Sequence, residues 1–186
     1  MKTVLICNQK GGVGKTLIAD ELAFALERDG IPYNFFDLDG QGSSIHETSE
    51  TDDAQVQIID TPGALNKHLT KWVEAADFVI VPTMLSSRDV GPLERMIKIL
   101  EPYKGKPILY VLNGFNRFNA AKEFRDWFMA KYPDLKTAIL TDTTAFDQAG
   151  ARRMSIVLFQ PRGTGSKNIE YIYNTVKYEL NLREAL

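Results

Sequence analysis

An apolar run, Thr3 to Asn8 (TVLICN), leads straight into Gln9-Lys10-Gly11-Gly12-Val13-Gly14-Lys15-Thr16, and from Lys15 to Arg28 the apolar residues Leu17, Ile18, Leu22, Ala25 and Leu26 recur at helical spacing. Strand, glycine-rich turn and helix in that order constrain the fold strongly. A nearly continuous apolar strand belongs in the middle of a parallel sheet covered on both faces, and parallel strands need crossover connections. The turn reads as a phosphate cradle. Gly11, Gly12 and Gly14 leave backbone N–H groups unhindered at a helix N-terminus, where they converge on phosphate oxygens. The spacing departs from the generic phosphate loop, because Gln9 holds the place of its first glycine. The working end is kept: Lys15 is placed to reach the terminal phosphates and Thr16 a magnesium ion. Lys10 is an extra cation at the front of the loop, and the generic cradle has no use for it.

The run NQKGGVGKT resembles the deviant Walker A motif of the ParA/MinD family, most closely that of its ParA (Soj) branch. The resemblance implies that Lys10 is the family's signature lysine, which reaches across a nucleotide-sandwich dimer to the phosphates bound by the other subunit. It implies ATP and magnesium (Mg2+) as ligands, with Gly11, Gly12, Val13, Gly14, Lys15, Thr16 and Leu17 around the phosphates. Leu17 stands where the family commonly has a second threonine, so only its backbone N–H is left for the α-phosphate. The bland alternative is an accidental glycine-rich turn, against which stands the full context of strand, loop, lysine and helix.

Further along, Tyr33 to Leu38 (YNFFDL) reads as a second strand, and alternation puts Asp37 and Asp39 on the same side of the extended chain. The stretch Asp37-Leu38-Asp39-Gly40-Gln41 resembles the family's DxDPQ motif, with Gly40 in place of the proline. The resemblance implies that Asp39 orients the attacking water and that Asp37 helps hold magnesium through its waters. Two acids ending a strand at an aqueous edge is the bland reading. Ser43 to Gln55 is polar, acidic and without period, and reads as a mobile loop, shorter than the family's switch region. Val56 to Ile59 is a third strand delivering Asp60-Thr61-Pro62-Gly63, a Walker B arrangement in which the Asp60 carboxylate binds the magnesium shell.

The remaining pattern alternates: helix 65–76, strand 78–81, helix 90–100, strand 107–112, helix 120–132, strand 138–140, a helical piece at 145–150, and a last strand entered at 156–159. In the segment from Ser86 to Gly91, Asp89 reads either as a dimer contact or as a plain helix cap. Phe124, Trp127 and Phe128 read as core. The resemblance places Asn113, at the carboxyl edge, against the adenine, together with a proline-containing turn at Pro161 and Arg162. The expected architecture is a P-loop α/β domain with a twisted, mostly parallel sheet flanked by helices on both faces.

At 186 residues one domain is expected, and 44% apolar with 25% charged residues is ordinary for a soluble protein. Met1 leads directly into a strand, without a secretory signal pattern. Cys7, the one cysteine, excludes an internal disulfide and fits the cytoplasm. The net charge of -2 is unevenly spread: residues 37–60 carry seven acids and no lysine or arginine, whereas residues 91–136 carry nine basic residues against five acids. The residues thus point to ATP hydrolysis, and the resemblance implies a slow partitioning ATPase that dimerises with ATP, binds nucleoid DNA without sequence preference and answers to a ParB-like adaptor. DNA candidates are Arg117, Lys122, Arg152, Arg153 and Lys167, for which an ordinary charged turn is the alternative. A conjugation or regulatory ATPase, or a dethiobiotin synthetase-like enzyme, is the rival class. A MinD-like membrane positioner is not expected, since residues 167–186 balance three basic against three acidic residues.

Overall fold

Six strands, β1 (Lys2–Ile6), β2 (Tyr33–Asp37), β3 (Val56–Asp60), β4 (Phe78–Met84), β5 (Ile108–Phe115) and β6 (Thr137–Thr141), form one sheet in the order β2-β3-β1-β4-β5-β6. Every pairing is parallel. The computed structural model describes residues 1–39, 44–63 and 69–183. Gly40 of the second motif, residues 65–68 of the expected second helix and the last three residues lie outside them.

The helices are α1 (Lys15–Arg28), α2 (Leu69–Ala75), α3 (Ser87–Leu100), α4 (Asn119–Lys131), α5 (Ala145–Gly150), α6 (Ile156–Phe159) and α7 (Thr164–Leu180). From β1 the chain crosses through α1 to β2 on one side, and from β3 through α2 to β4 on the other. Because such crossovers are right-handed, reversing the direction of travel puts α1 and α2 on opposite faces. The core divides accordingly. Val4, Ile6, Ile18, Leu22, Phe35, Ile58, Ile169 and Tyr173 form one buried cluster, and Leu5, Val73, Val79, Leu93, Met96 and Phe128 the other. Successive β1 residues feed alternate clusters, as a strand covered on both faces requires. Phe35 is wholly buried, and truncating such a side chain to alanine costs about 3–5 kcal/mol. The reversal leaves the carboxyl ends of β1, β3 and β4 splayed around a crevice, where open α/β sheets bind ligands.

Two sequence expectations are corrected. Residues Ile156 to Phe159 are not a strand but α6: the Ser155 hydroxyl accepts the Val157 N–H, and the buried Glu21 carboxylate accepts both the Ser155 hydroxyl at 2.6 Å and the Ile156 N–H at 2.9 Å. Those two residues cap the turn, and a short apolar run fits either element until its neighbours decide. The stretch 44–55 has no regular element, but it is packed: Ser44, Ile45 and His46 bond to Asp20 of α1, and Ser49 exchanges backbone hydrogen bonds of 2.9 and 3.0 Å with Phe35. It therefore departs from the mobile loop expected of its composition. Strands β4 and β5 also run past their expected ends, so Asn113 sits within β5, just before a register shift against β6 at Gly114. No helix among the described residues is long and apolar enough to cross a membrane.

Candidate nucleotide site

The turn between β1 and α1 is shaped by backbone conformation first. Gly12 and Gly14 have φ of 71° and 94°, a left-handed region that L side chains rarely adopt. Space sets a second limit at Gly14, where an added Cβ would stand 2.2 Å from Asn113 Nδ2. Asn113 is there because its Nδ2 donates to the Val13 carbonyl at 2.9 Å, so β5 holds the loop from above. Asn8 holds it from below: buried completely, it donates from Nδ2 to the Pro82 carbonyl at 2.7 Å and accepts the Lys10 N–H at 3.0 Å. Gly63 completes the enclosure, since a Cβ there would meet the Gly11 Cα and N at 2.9 Å. The N-terminus of α1 thereby faces the crevice with its dipole favouring an anion.

The charged groups follow. Lys15 is buried, its Nζ folded back to 3.4 Å from the Lys10 carbonyl. Thr16 donates its hydroxyl to Asp60 Oδ2 at 2.6 Å. Asp60 has no exposed surface, and its Oδ1 has no hydrogen-bond partner among the described residues. Burial first, with repulsion from Asp37 and Asp39, pushes the Asp60 carboxyl up to about 6, against the Thr16 hydrogen bond and the charge of Lys15. An orphaned carboxylate oxygen beside a threonine hydroxyl, with two more acids near it, is what a hard divalent cation would satisfy, so the residues present fit magnesium. Asp37 pairs in register with Asp60 across β2 and β3, and its Oδ1 accepts the Asp39 N–H at 2.9 Å. Thus Lys15, Thr16, Asp37, Asp39 and Asp60 gather at one edge.

Lys10 turns elsewhere. Its Nζ lies 2.6 Å from Asp89 Oδ1, and the Asp89 side chain, in the first turn of α3 and only 2% exposed, also accepts from the hydroxyl of Ser86 at the helix N-cap. Within this single chain Asp89 is thus a partner of Lys10. The other expected residues are more scattered. Pro161 and Arg162 are exposed in the turn between α6 and α7, and the Asn168 side chain ties the start of α7 to the carboxyl end of β6 through the Thr141 N–H at 3.1 Å. Arg117, Arg152, Arg153 and Lys167 are all exposed. Arg152 donates to the Gln148 carbonyl at 2.9 Å and lies over the Phe159 ring, while Arg153, at φ 51°, donates to the Ile45 carbonyl at 2.8 Å. Cys7 is buried, and burial pushes its thiol up to about 12 despite Lys15 nearby, so it is no nucleophile.

Asn8 and Asp20 are the residues to which motif reading gave no role, whereas Gly63 closes the third motif, Asp60-Thr61-Pro62-Gly63. The signals of those two were faint: a polar residue closing an apolar strand, and an acid one helical turn beyond Thr16.

The sequence of residues 4–156 matches the model of the CobQ/CobB/MinD/ParA nucleotide binding domain. No curated protein sequence matches the chain. Among solved structures, apo McdA of Cyanothece superposes with a TM-score of 0.77 at 16% identity, covering 95% of this chain and 99% of that one. The septum site-determining protein MinD of Pyrococcus horikoshii, complexed with Mg-ADP, gives 0.69 at 14% identity over 94% and 95% of the two chains. A plasmid partition protein of Borrelia burgdorferi bound to AMPPNP gives 0.68 at 14% identity over 97% and 98%.

Proposed function

The chain belongs to the CobQ/CobB/MinD/ParA nucleotide-binding family, and from that premise we propose that it is a partitioning ATPase. On this reading it binds ATP with magnesium, closes into a sandwich dimer, hydrolyses ATP slowly, and positions cargo on nucleoid DNA with an adaptor that speeds turnover. The observation that carries the reading is Lys10, a lysine ahead of its own phosphate loop whose ammonium turns away from it to a buried acid on α3. Such a side chain has nothing to do in a monomeric kinase-like site. It has a role if its phosphates belong to a second copy.

The residues divide the work. Lys15 and the N–H groups from Gly11 to Leu17 hold the phosphates, and Thr16, Asp37 and Asp60 hold magnesium. When bound, magnesium would supply neutralising charge at the phosphates. Asp39 orients the attacking water, and Lys10 meets the charge that develops on the partner's γ-phosphate. To do so Lys10 must leave Asp89, whose buried carboxylate then loses that cation, and separating such a pair is unfavourable. Dimer closure therefore needs the binding energy of ATP, and the resting rate is low. Asn113, Pro161 and Arg162 surround the adenine, and Arg117, Arg152, Arg153 and Lys167 contribute to DNA contact.

Support for the ligand comes from relatives of the same fold solved with Mg-ADP and with AMPPNP. The test is the size of the protein in magnesium with ADP and with a non-hydrolysable ATP analogue. The expected outcome is a dimer with the analogue only, and a Lys10→Ala protein that binds nucleotide but neither dimerises nor turns over. Hydrolysis retained by a strictly monomeric Lys10→Ala protein would sink the sandwich dimer. DNA binding should require the analogue and weaken steeply with salt, as phosphate contacts release counterions.

A further inference from the structure

Strand β1 leaves the sheet at Asn8, and a residue of β4 sets the place. The ladder between the two strands pairs Ile6 with Ile80, and beyond it the Cys7 N–H still donates to the Ile80 carbonyl at 3.0 Å. In a parallel ladder the return bond to the Cys7 carbonyl comes from residue 82, and Pro82 has no N–H to give. The Pro82 carbonyl is taken by a side chain instead, since Asn8 Nδ2 donates to it at 2.7 Å. Asn8 has no exposed surface, a depth at which its amide oxygen also needs a partner. That partner is the Lys10 N–H at 3.0 Å.

Lys10 is therefore gripped at two points, and both grips come from one unit. Its backbone is tied through Asn8 to β4 at Pro82, and its ammonium to Asp89 of the helix that follows β4. The two grips differ in what they can release. The ammonium stands on a flexible stem, in a side chain that is 35% exposed, whereas Asn8 is wholly enclosed. The ammonium can change partners while the N–H stays where it is. The rest of the cradle has supports of its own: Gly12 and Gly14 by their conformation, Val13 by Asn113, and Gly11 by its contact with Gly63. We infer that Asn8 is a positioning residue for Lys10: it fixes the backbone from which the ammonium swings from Asp89 to the phosphates of a second copy, and it adds nothing to nucleotide binding within its own chain. A stem with its root held in advance has less freedom to lose on reaching its target. The inference rests on the reading of Lys10 as acting across a dimer.

The experiment compares the parent chain with Lys10→Ala, Asn8→Ala and Asn8→Ser. It measures the affinity for ADP with magnesium, kcat at saturating ATP, and the protein concentration at which the non-hydrolysable analogue gives half dimer. In Asn8→Ala the Kd for ADP should stay within about twofold of the parent, while kcat falls about tenfold or more and half-dimerisation needs about tenfold more protein, because a displaced group costs only the steps it takes part in. Asn8→Ser keeps an oxygen that accepts the Lys10 N–H more weakly and loses the reach to Pro82. It should show the same split at smaller size, and it decides the question if Asn8→Ala does not fold. A loss of ADP affinity that matches the loss of kcat overturns the inference, since Asn8 then holds the cradle as a whole; failure of both Asn8 variants to fold overturns it as well, since Asn8 then serves the fold. A Lys10→Ala protein that dimerises and turns over like the parent overturns the reading of Lys10 and the inference with it. Loss of both properties in Lys10→Ala, with both Asn8 variants at the parental kcat, overturns the inference alone.

Discussion

The phosphate loop and the strap at 44–49 flank the same sheet edge, and they are held by opposite means. The loop is fixed by backbone: two left-handed glycines, a glycine laid against another chain segment, and two asparagines gripping carbonyl and N–H groups. At its start the strap is gathered on a side chain, the Asp20 carboxylate, onto which the Ile45 and His46 N–H groups converge, with Arg153 on the Ile45 carbonyl and the Ser49–Phe35 backbone pair holding it further along. The contrast separates two kinds of fragility. A backbone-built site fails when a Cβ is added, whereas a side-chain-built one fails when an atom is removed.

The largest effect on this contrast is expected from Gly14→Ala. A Cβ at φ 94° is strained, and it displaces Asn113 from the Val13 carbonyl. The variant should lose about 2–4 kcal/mol of stability and all measurable nucleotide binding. Thermal unfolding with a nucleotide titration checks both, and retained ATP affinity would mean that the loop is more pliable than its geometry implies.

Asn113→Ala should be milder, because it removes one half-buried hydrogen bond, about 1 kcal/mol, and leaves the glycines free. It also sharpens the role of Asn113. If the residue acts through the loop, ATP and GTP lose affinity by the same factor in competition titrations. If it reads the base, ATP alone suffers.

The smallest change is expected from Arg153→Ala. Arg153 is exposed, and water replaces its bond to the Ile45 carbonyl, so less than about 1 kcal/mol should be lost, seen as a shift of a few degrees at most in unfolding. A loss of several kcal/mol, as expected when a buried charge network is broken, would show that the strap hangs from its outer anchor. The same contact matters for DNA tests: charge reversal at Arg153 disturbs the strap as well as any phosphate contact, so Arg152 and Lys167 are cleaner positions to reverse.

How much of this could be read from the sequence follows from the same distinction. Backbone-built features announce themselves, since glycine, proline and apolar periodicity are local signals. The β1–loop–α1 unit and the carboxyl-edge acids Asp37, Asp39 and Asp60 therefore stand where the pattern put them. Contacts made by single polar side chains across 24 or more residues leave no local trace: Asp20 looks like any helical acid until Ser44 arrives beside it. The misread run at 156–159 has the same cause. Its four apolar residues suit a buried strand, and what turns them into helix is Glu21, distant in sequence and buried, where burial raises its carboxyl despite the Ser155 and Ile156 hydrogen bonds.

The bridge between Ser49 and Phe35 has a consequence of its own. Strand β2 lies at the margin of the sheet, and the Phe35 N–H and carbonyl on its outer side would otherwise be open to pairing with a strand from another molecule. Ser49 occupies both groups, and acidic Glu47, Glu50, Asp52 and Asp53 stand around it. The stretch held on Asp20 thus also blunts the sheet against edge-to-edge aggregation, and a variant that frees it should lose solubility at high concentration before it loses its fold.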